Sequence, residues 1–334
     1  MTRILVTGAG GFIGSHLVER LLKKNYKVRA FLKYSSTDNP GWLNGINSSN
    51  LEIVYGDITD YDSIFTATKN VEIIFNLAAL ISVPYSFKNP ESFVNTNVKG
   101  LINLLRACRF YNNKIKKIIQ ISSSEVYGNT INKKIKILDE NLKLKSESPY
   151  AASKIAADHL AITAFKTDKT PITIARPFNT FGPRQSLKAV IPTIITQLIK
   201  SKNKKIKIGN INSFRDFVYV EDTVNALIRI MLSKQTIGEV INIATEKSFS
   251  IEEIIEILNS YTMVKSKIIL EKKRIRNSEL NKLCGSNKKI FKMTNWRPKY
   301  SSKRMFAIAL QQTYDWFKNP ANLKNYKNIN KYNI

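Results

Sequence analysis

Tyr150 and Lys154 stand four residues apart in SESPYAASKIAADHL. On a helix that spacing stacks them on one face. Ser148 can cap such a helix and Pro149 can fill its first turn. An ammonium beside a phenol favours the phenolate and lowers its pKa from about 10 toward neutrality. Such a tyrosine takes a proton from a sugar hydroxyl as hydride leaves the same carbon, and the lysine also holds the ribose of a nicotinamide. Upstream, ISSSEVYG at 121–128 sets Glu125 beside Ser123 and Ser124 where an apolar run ends. A glutamate so placed can act as a base, cap the next segment or pair with a surface lysine. Near the N-terminus, TGAGGFIG spaces Gly8, Gly11 and Gly14 between RILV and SHLVERLLKK. Glycines at those points permit a tight turn and let backbone N–H groups approach a pyrophosphate at a helix N-terminus. The strand before them and the helix after them give the spacing its meaning.

The dinucleotide reading extends to the next two strands. A carboxylate at the end of the second strand would bind the adenosine ribose, but KVRAFL runs into Lys33, Tyr34, Ser35 and Ser36. A lysine with hydroxyls nearby suits a 2′-phosphate, which favours NADP over NAD. Asp57, in YGDITD, can accept from the adenine amino group or cap the following helix.

These residues need a scaffold that brings them to one edge. RILVTG, KVRAFL, LEIVYGD, VEIIFNLAA and KIIQISS read as strands, with LVERLLKK, YDSIFTAT and NTNVKGLINLLRACRFY as helices between several of them. That alternation predicts an α/β protein: βαβ units, a doubly wound parallel sheet covered on both faces, and ligands at the carboxyl ends of the strands. From about residue 170 the rhythm loosens. PITIARP reads as another central strand. AVIPTIITQLIK, KIKIG, the strand-like FRDFVYV, EDTVNALIRIML, the strand VINIA and IEEIIEILNS read as a smaller lobe interleaved with the last strands of the main sheet. We expect a dinucleotide domain over 1–175, with later strands from about 176–250, and a substrate lobe over 176–334. The cleft between them is the expected site.

Composition removes several classes of function. Cys108 and Cys284 lie far apart and the histidines are His16 and His159, so neither a zinc site nor a disulfide framework is expected. No apolar run approaches membrane-spanning length and the start lacks a signal-peptide pattern, which points to a cytoplasmic protein without a membrane partner. The net charge of +28, from 53 Lys+Arg against 25 Asp+Glu, raises nucleic acid as a partner. The lysines are scattered through KIKK, NKKIKI and LEKKR without interleaved aromatics, so no nucleic-acid partner is expected. Such a field does attract a polyanionic small molecule to its cleft.

Taken in order, TGAGGFIG, NLAAL at 76–80, NTNVKG at 95–100, SSSEVYG at 122–128, YAASK at 150–154, RPFNTFGPRQ at 176–185 and RDFVYVEDTVNA at 215–226 resemble an extended short-chain dehydrogenase/reductase. The resemblance is to the nucleotide-sugar epimerases and dehydratases and covers nearly the whole chain. It implies a Rossmann-like domain, a C-terminal sugar-nucleotide lobe, and a homodimer built through a four-helix bundle containing the Tyr150 helix. It assigns Phe12, Ile13, Ile58, Leu77, Ala78, Ala79, Pro177 and Phe178 to the cofactor, the last two against the nicotinamide. It assigns Ser82, Val83, Asn179, Val190, Arg215 and Arg274 to the substrate, with Arg276 as a substitute for Arg274. A 4-epimerase needs only Tyr150, Lys154 and a hydroxyl residue such as Ser123. A 4,6-dehydratase must also remove the C5 proton and expel the 6-hydroxyl, and Glu125 is the base that this chemistry requires. Ser124 then orients and Ser123 bridges the 4-hydroxyl and Tyr150. ALISVPYS, NWRPKY and the terminal YNI resemble the N-acetylhexosamine-nucleotide dehydratases of legionaminic-acid and related surface-glycan pathways, with UDP or GDP as carrier. A 4-epimerase is the alternative, and a non-catalytic NAD(P)-binding protein is a more distant one.

Overall fold

The computed structural model describes residues 2–111, 114–129, 135–201, 205–271, 282–324 and 326. Along the chain, β1 (Arg3–Thr7) leads through α1 (Phe12–Leu22), β2 (Lys27–Lys33), β3 (Leu51–Gly56) and α2 (Tyr61–Thr68) to β4 (Ile73–Asn76). Next come α3 (Val83–Lys88), α4 (Pro90–Phe93), α5 (Gly100–Tyr111), β5 (Lys117–Ile121), α6 (Pro149–Asp168) and β6 (Ile172–Pro177). There follow β7 (Asn179–Phe181), α7 (Val190–Lys200), β8 (Lys205–Ile208), β9 (Phe214–Arg215), β10 (Phe217–Tyr219), α8 (Val220–Leu232) and β11 (Val240–Ile243). The chain continues with β12 (Phe249–Ser250), α9 (Ile251–Thr262), β13 (Lys267–Leu270), β14 (Lys282–Leu283), α10 (Lys288–Thr294), α11 (Lys303–Lys318) and α12 (Pro320–Leu323).

The main sheet has the order β11-β6-β5-β4-β1-β2-β3, and its pairings are all parallel. Successive strand residues face opposite sides, so both faces must be apolar if both are covered. Ile4, Val6, Phe75 and Ile119 pack with Leu17, Val18 and Leu21 of α1 and Leu227 and Ile230 of α8. Their neighbours Leu5, Ile74 and Ile118 pack with Ile64 and Ala67 of α2, Leu101 and Leu104 of α5, and Ala157 and Ala161 of α6. The strand order reverses direction between β1 and β4, which opens the crevice where such sheets bind ligands.

The smaller sheets pair β10 with β7, β9 with β12 and β14, and β13 with β8. They pack with α7, α9 and α11, where the rings of Phe249 and Phe306 stack at 4.0 Å. FRDFVYV is not one strand, as the sequence led us to expect, but two strands broken at Asp216. The fully buried Asp216 carboxylate accepts from Thr245 N at 3.0 Å and Oγ1 at 2.7 Å, Glu246 N at 3.1 Å and Gly285 N at 3.2 Å. Burial pushes this acid up to about 7, against the pull of those donors. The expected helix from 95 also differs: a π-helical segment, Val94–Lys99, joins α4 to α5. Within it Asn97 is buried, bonding Leu80 N at 2.9 Å and donating to Ser153 Oγ at 2.9 Å.

Candidate active site

Because the strands are parallel, the ends of β1, β4, β5 and β6 deliver their loops to one edge. Gly8, at φ +66°, turns the chain out of β1, and a Cβ there would lie 3.0 Å from Ala78. Thr7 Oγ1 donates to Asn76 Oδ1 at 2.7 Å and accepts from Ala78 N at 3.0 Å, tying the glycine turn to Leu77, Ala78 and Ala79. A Cβ on Gly14 would come within 2.4 Å of Gly8 O, so α1 sits too close to the turn for any larger residue. Gly11 is the N-cap of α1 and offers no side-chain cap, which leaves first-turn N–H groups to a ligand. This cradle fits the pyrophosphate of a dinucleotide. Phe12 and Ile13 begin α1 half-buried against the core.

At the adenosine end, Lys33 Nζ lies 3.7 Å from Asp57 Oδ2, with the lysine side chain 84% exposed. Asp57 does not cap α2. Asp60 does, accepting from Ser63 N, while Asp57 accepts from Thr59 N and Oγ1, each at 2.8 Å. Those bonds and Lys33 outweigh desolvation and hold the Asp57 carboxyl below its usual range. Ile58 is a core residue whose side chain fills the space beside Gly100.

Ser148 caps α6 by accepting from Ala151 N at 3.1 Å, and Pro149 occupies its first turn. Tyr150 and Lys154 are both buried on the inward face, and the edge of the Phe93 ring meets Tyr150 at 6.1 Å. Lys154 Nζ donates to Ile121 O at 2.9 Å, which docks α6 on the end of β5. From there the chain passes through Ser122 and Ser123 into a 3-10 turn, Ser124–Tyr127, on which Glu125 stands half-buried between buried neighbours. Ser123 Oγ accepts from Glu125 N at 3.2 Å, and the Ser123 side chain lies close enough to the Tyr150 hydroxyl to ease its ionisation. Ser123, Glu125 and Tyr150 therefore lie together at the end of β5, with Glu125 close enough for its charge to raise the phenol.

The electrostatics differ from the expectation of a phenol lowered by its lysine. Burial pushes Tyr150 far up, and the Ser123 hydroxyl only partly opposes it. Burial also pulls Lys154 down to about 8, with Asp158 opposing. Desolvation penalises both charged forms, and the i, i+4 spacing alone carries no sign of it.

Other expected ligands divide. Asn179 is half-buried, and its Nδ2 is buried without a hydrogen-bond partner, as a residue awaiting a ligand would be. Ser82 caps α3 by accepting from Tyr85 N, beside Val83, and Val190 opens α7. Arg215 lies in β9 with Nη1 donating to Phe214 O at 2.9 Å. Arg274 and Arg276 fall in 272–281, outside the described residues. Pro177 is half-buried, and the Phe178 ring is buried. It lies in the core, stacked on Tyr127 at 6.3 Å and filling the space over Gly285.

The family model described as GDP-mannose 4,6 dehydratase matches residues 5–308. The chain belongs to this family. Its nucleotide-sugar 4,6-dehydratase relatives include a dTDP-D-glucose 4,6-dehydratase of Dictyostelium discoideum, 36% identical over 74% of this chain; the match spans 59% of that relative's length. Among solved structures, the dTDP-glucose 4,6-dehydratase DesIV of Streptomyces venezuelae with NAD bound is 26% identical, with a TM-score of 0.85 over 98% of this chain and 99% of that one. The UDP-glucuronic acid 4-epimerase of Bacillus cereus, with UDP-glucuronic acid and NAD, is 29% identical with a TM-score of 0.85, covering 95% and 99%. The family thus carries the Rossmann-like sheet described above, and it includes epimerase neighbours beside the dehydratases.

Within this family member, three buried polar groups near the site were not singled out from the sequence: Asn97, Asp158 and Arg176. The spacing of Asp158 four residues after Lys154 was the available signal, because it repeats the spacing of Tyr150 to Lys154.

Proposed function

We propose that the protein is a nucleotide-sugar 4,6-dehydratase, working as a cytoplasmic homodimer with a bound NAD(P). The observation that carries this reading is Glu125, held by its turn beside Ser123 and Tyr150. A dinucleotide held at the turn of Gly8, Gly11 and Gly14 would supply the acceptor and donor of hydride. Tyr150 then takes the 4-hydroxyl proton through or beside Ser123, and Lys154 holds the ribose. The new 4-keto group acidifies C5, Glu125 removes that proton, and the same carboxyl protonates the departing 6-hydroxyl to give water. C6 of the resulting alkene then takes back the hydride lost from C4, and C5 takes a proton to balance the one left on Tyr150. Ser124, buried beside it, orients the leaving oxygen. Asn179, Arg215, Ser82, Val83 and Val190 hold the diphosphate and sugar.

The finer substrate reading is a UDP- or GDP-linked N-acetylglucosamine-type sugar for nonulosonate or other surface-glycan synthesis, supported by the resemblance of ALISVPYS and NWRPKY. The second reading is a 4-epimerase, supported by the epimerase neighbour; it leaves Glu125 without a task. Incubation with UDP-N-acetylglucosamine, UDP-glucose, dTDP-glucose, GDP-mannose and GDP-N-acetylglucosamine, followed by mass measurement, separates the two. Loss of water with a 4-keto absorbance supports dehydration, and an epimer of unchanged mass sinks it. For the cofactor, NADP is favoured by Lys33 and the lack of a carboxylate on the end of β2, although a 2′-phosphate must compete with Asp57 for that lysine. Lys33→Ala should weaken NADP binding roughly two- to fivefold, the range of an exposed ion pair, and leave NAD unchanged in a fluorescence titration.

Homodimer formation is supported by α5 and α6, where Ile102 is 38% exposed and Phe110 63% exposed along a groove that Leu105 and Leu160 also line. Localisation is supported by two buried free cysteines, and no helix among the described residues is long and apolar enough to cross a membrane.

A further inference from the structure

Behind the reacting groups runs a chain of buried polar side chains that the proposed chemistry does not use. Tyr150, Lys154 and Asp158 fall on one face of α6 at successive intervals of four. Asp158 Oδ2 accepts from Arg176 Nε at 3.0 Å and pairs with Nη2 at 2.9 Å, the two side chains being 0% and 3% exposed. Arg176, on β6, donates from Nη1 to the Tyr127 hydroxyl at 3.0 Å. Tyr127 closes the turn that carries Glu125, and its hydroxyl donates onward to Asn242 Oδ1 on β11 at 2.8 Å.

A buried ion pair is a poor way to hold a core together, because an apolar pair of equal volume serves as well or better. Its location is more informative than its strength. One end touches the helix bearing Tyr150 and Lys154, and the other the turn bearing Glu125. Asp158 is faced by Lys154 on its own helix, by Arg176 from β6, and by Ser122 at the end of β5, whose hydroxyl bears on it without a well-formed hydrogen bond. Lys154 is faced by Asp158 and by the Ile121 carbonyl, and Tyr150 feels both Glu125 and Asp158.

We infer that the Asp158–Arg176 pair is a positioning device of the active site: Asp158 is the counter-charge of Lys154, and Arg176, through Tyr127, fixes the turn that carries Glu125. The inference rests on the roles proposed above for Tyr150, Lys154 and Glu125. Without Asp158, a buried ammonium would keep only a backbone carbonyl. Without the Tyr127 hydroxyl, the turn would lose its tie to β6 and β11.

The first arm of the test is the titration of Lys154 in full-length protein labelled with 13C-lysine, its signal identified by loss in Lys154→Arg. In the unsubstituted protein this lysine should titrate near 8. In Asp158→Asn its proton affinity should fall about tenfold or more, whereas Asp168→Asn, at the far end of α6, should leave it unchanged. Arg176→Gln, which leaves a buried carboxyl that takes up a proton, reads the same shift from the other partner should Asp158→Asn not fold. An unshifted Lys154 in the folded variant overturns the counter-charge. The second arm is Tyr127→Phe, which keeps the ring and both charges. The Gly128 amide, bonded to Glu125 O at 3.2 Å, should exchange at least tenfold faster while β5 amides hold, and kcat on an accepted panel sugar should drop at constant KM. Unchanged exchange overturns the tie. If the unsubstituted protein turns over no panel sugar, the functional reading fails, while the titration and the exchange, which need no sugar, still decide the pair.

Discussion

Glu125 is the residue on which the account turns, yet its environment is set by groups with little chemistry of their own. Ser123 takes its amide, and Tyr127 closes its turn. Lys154 makes the case for desolvation most plainly. Its pKa in the fold is about 8 against 10.5 for the free side chain. Between those values the unfolded chain binds more protons, so stability rises with pH across that window, and the cost of burying the charge is fully present below 8. Lys154→Met should remove this rise and raise stability at neutral pH by up to about 3 kcal/mol, the value of the shift. Denaturant melts of the two proteins at pH 7 and 10 check this; equal slopes would contradict it. The residue scale was also the least legible in sequence. Tyr150, Lys154 and Glu125 were identifiable by spacing and motif, but whether a side chain such as Phe178 faces a ligand or the core depends on what packs behind it, here Tyr127 and Gly285.

The elements were more legible, because apolar runs and their periods report burial directly. β1 through β6 fall where the Ile- and Val-rich stretches lie, and α6 begins at Pro149, directly after its cap Ser148. What eluded the pattern was tertiary in origin: the break at Asp216, which four donors from distant loops turn inward, and the π-helical segment that presents Asn97 to Ser153. The glycine turn is the element most exposed to a single change. In Gly14→Ala the new methyl meets Gly8 O at 2.4 Å, so α1 must shift away from β1. We expect a loss of stability of about 1–3 kcal/mol and at least a tenfold loss of dinucleotide affinity, measured by thermal melting and by titration of protein fluorescence. Unchanged affinity would remove the turn from the cofactor site.

For the whole molecule, the sequence pointed to a doubly wound sheet with a second lobe, and the strand order β11-β6-β5-β4-β1-β2-β3 puts the glycine turn after β1 and Ala78 after β4 at its switch point. A net charge of +28 fits a site for a doubly charged diphosphate. If α5 and α6 form the dimer face, Ile102→Glu should put a charge in its apolar centre and weaken the dimer at least tenfold, read by sedimentation equilibrium. An unaltered dimer would place the interface elsewhere. The central claim, that this family member eliminates water with Glu125 as its base, has a more direct test. A sugar accepted by the unsubstituted protein is incubated with Glu125→Gln, and the product mass is followed in time. The account predicts that the variant still binds the nucleotide sugar but loses water roughly 10²- to 10⁴-fold more slowly, the contribution of a positioned base. Water loss at the unsubstituted rate would contradict it.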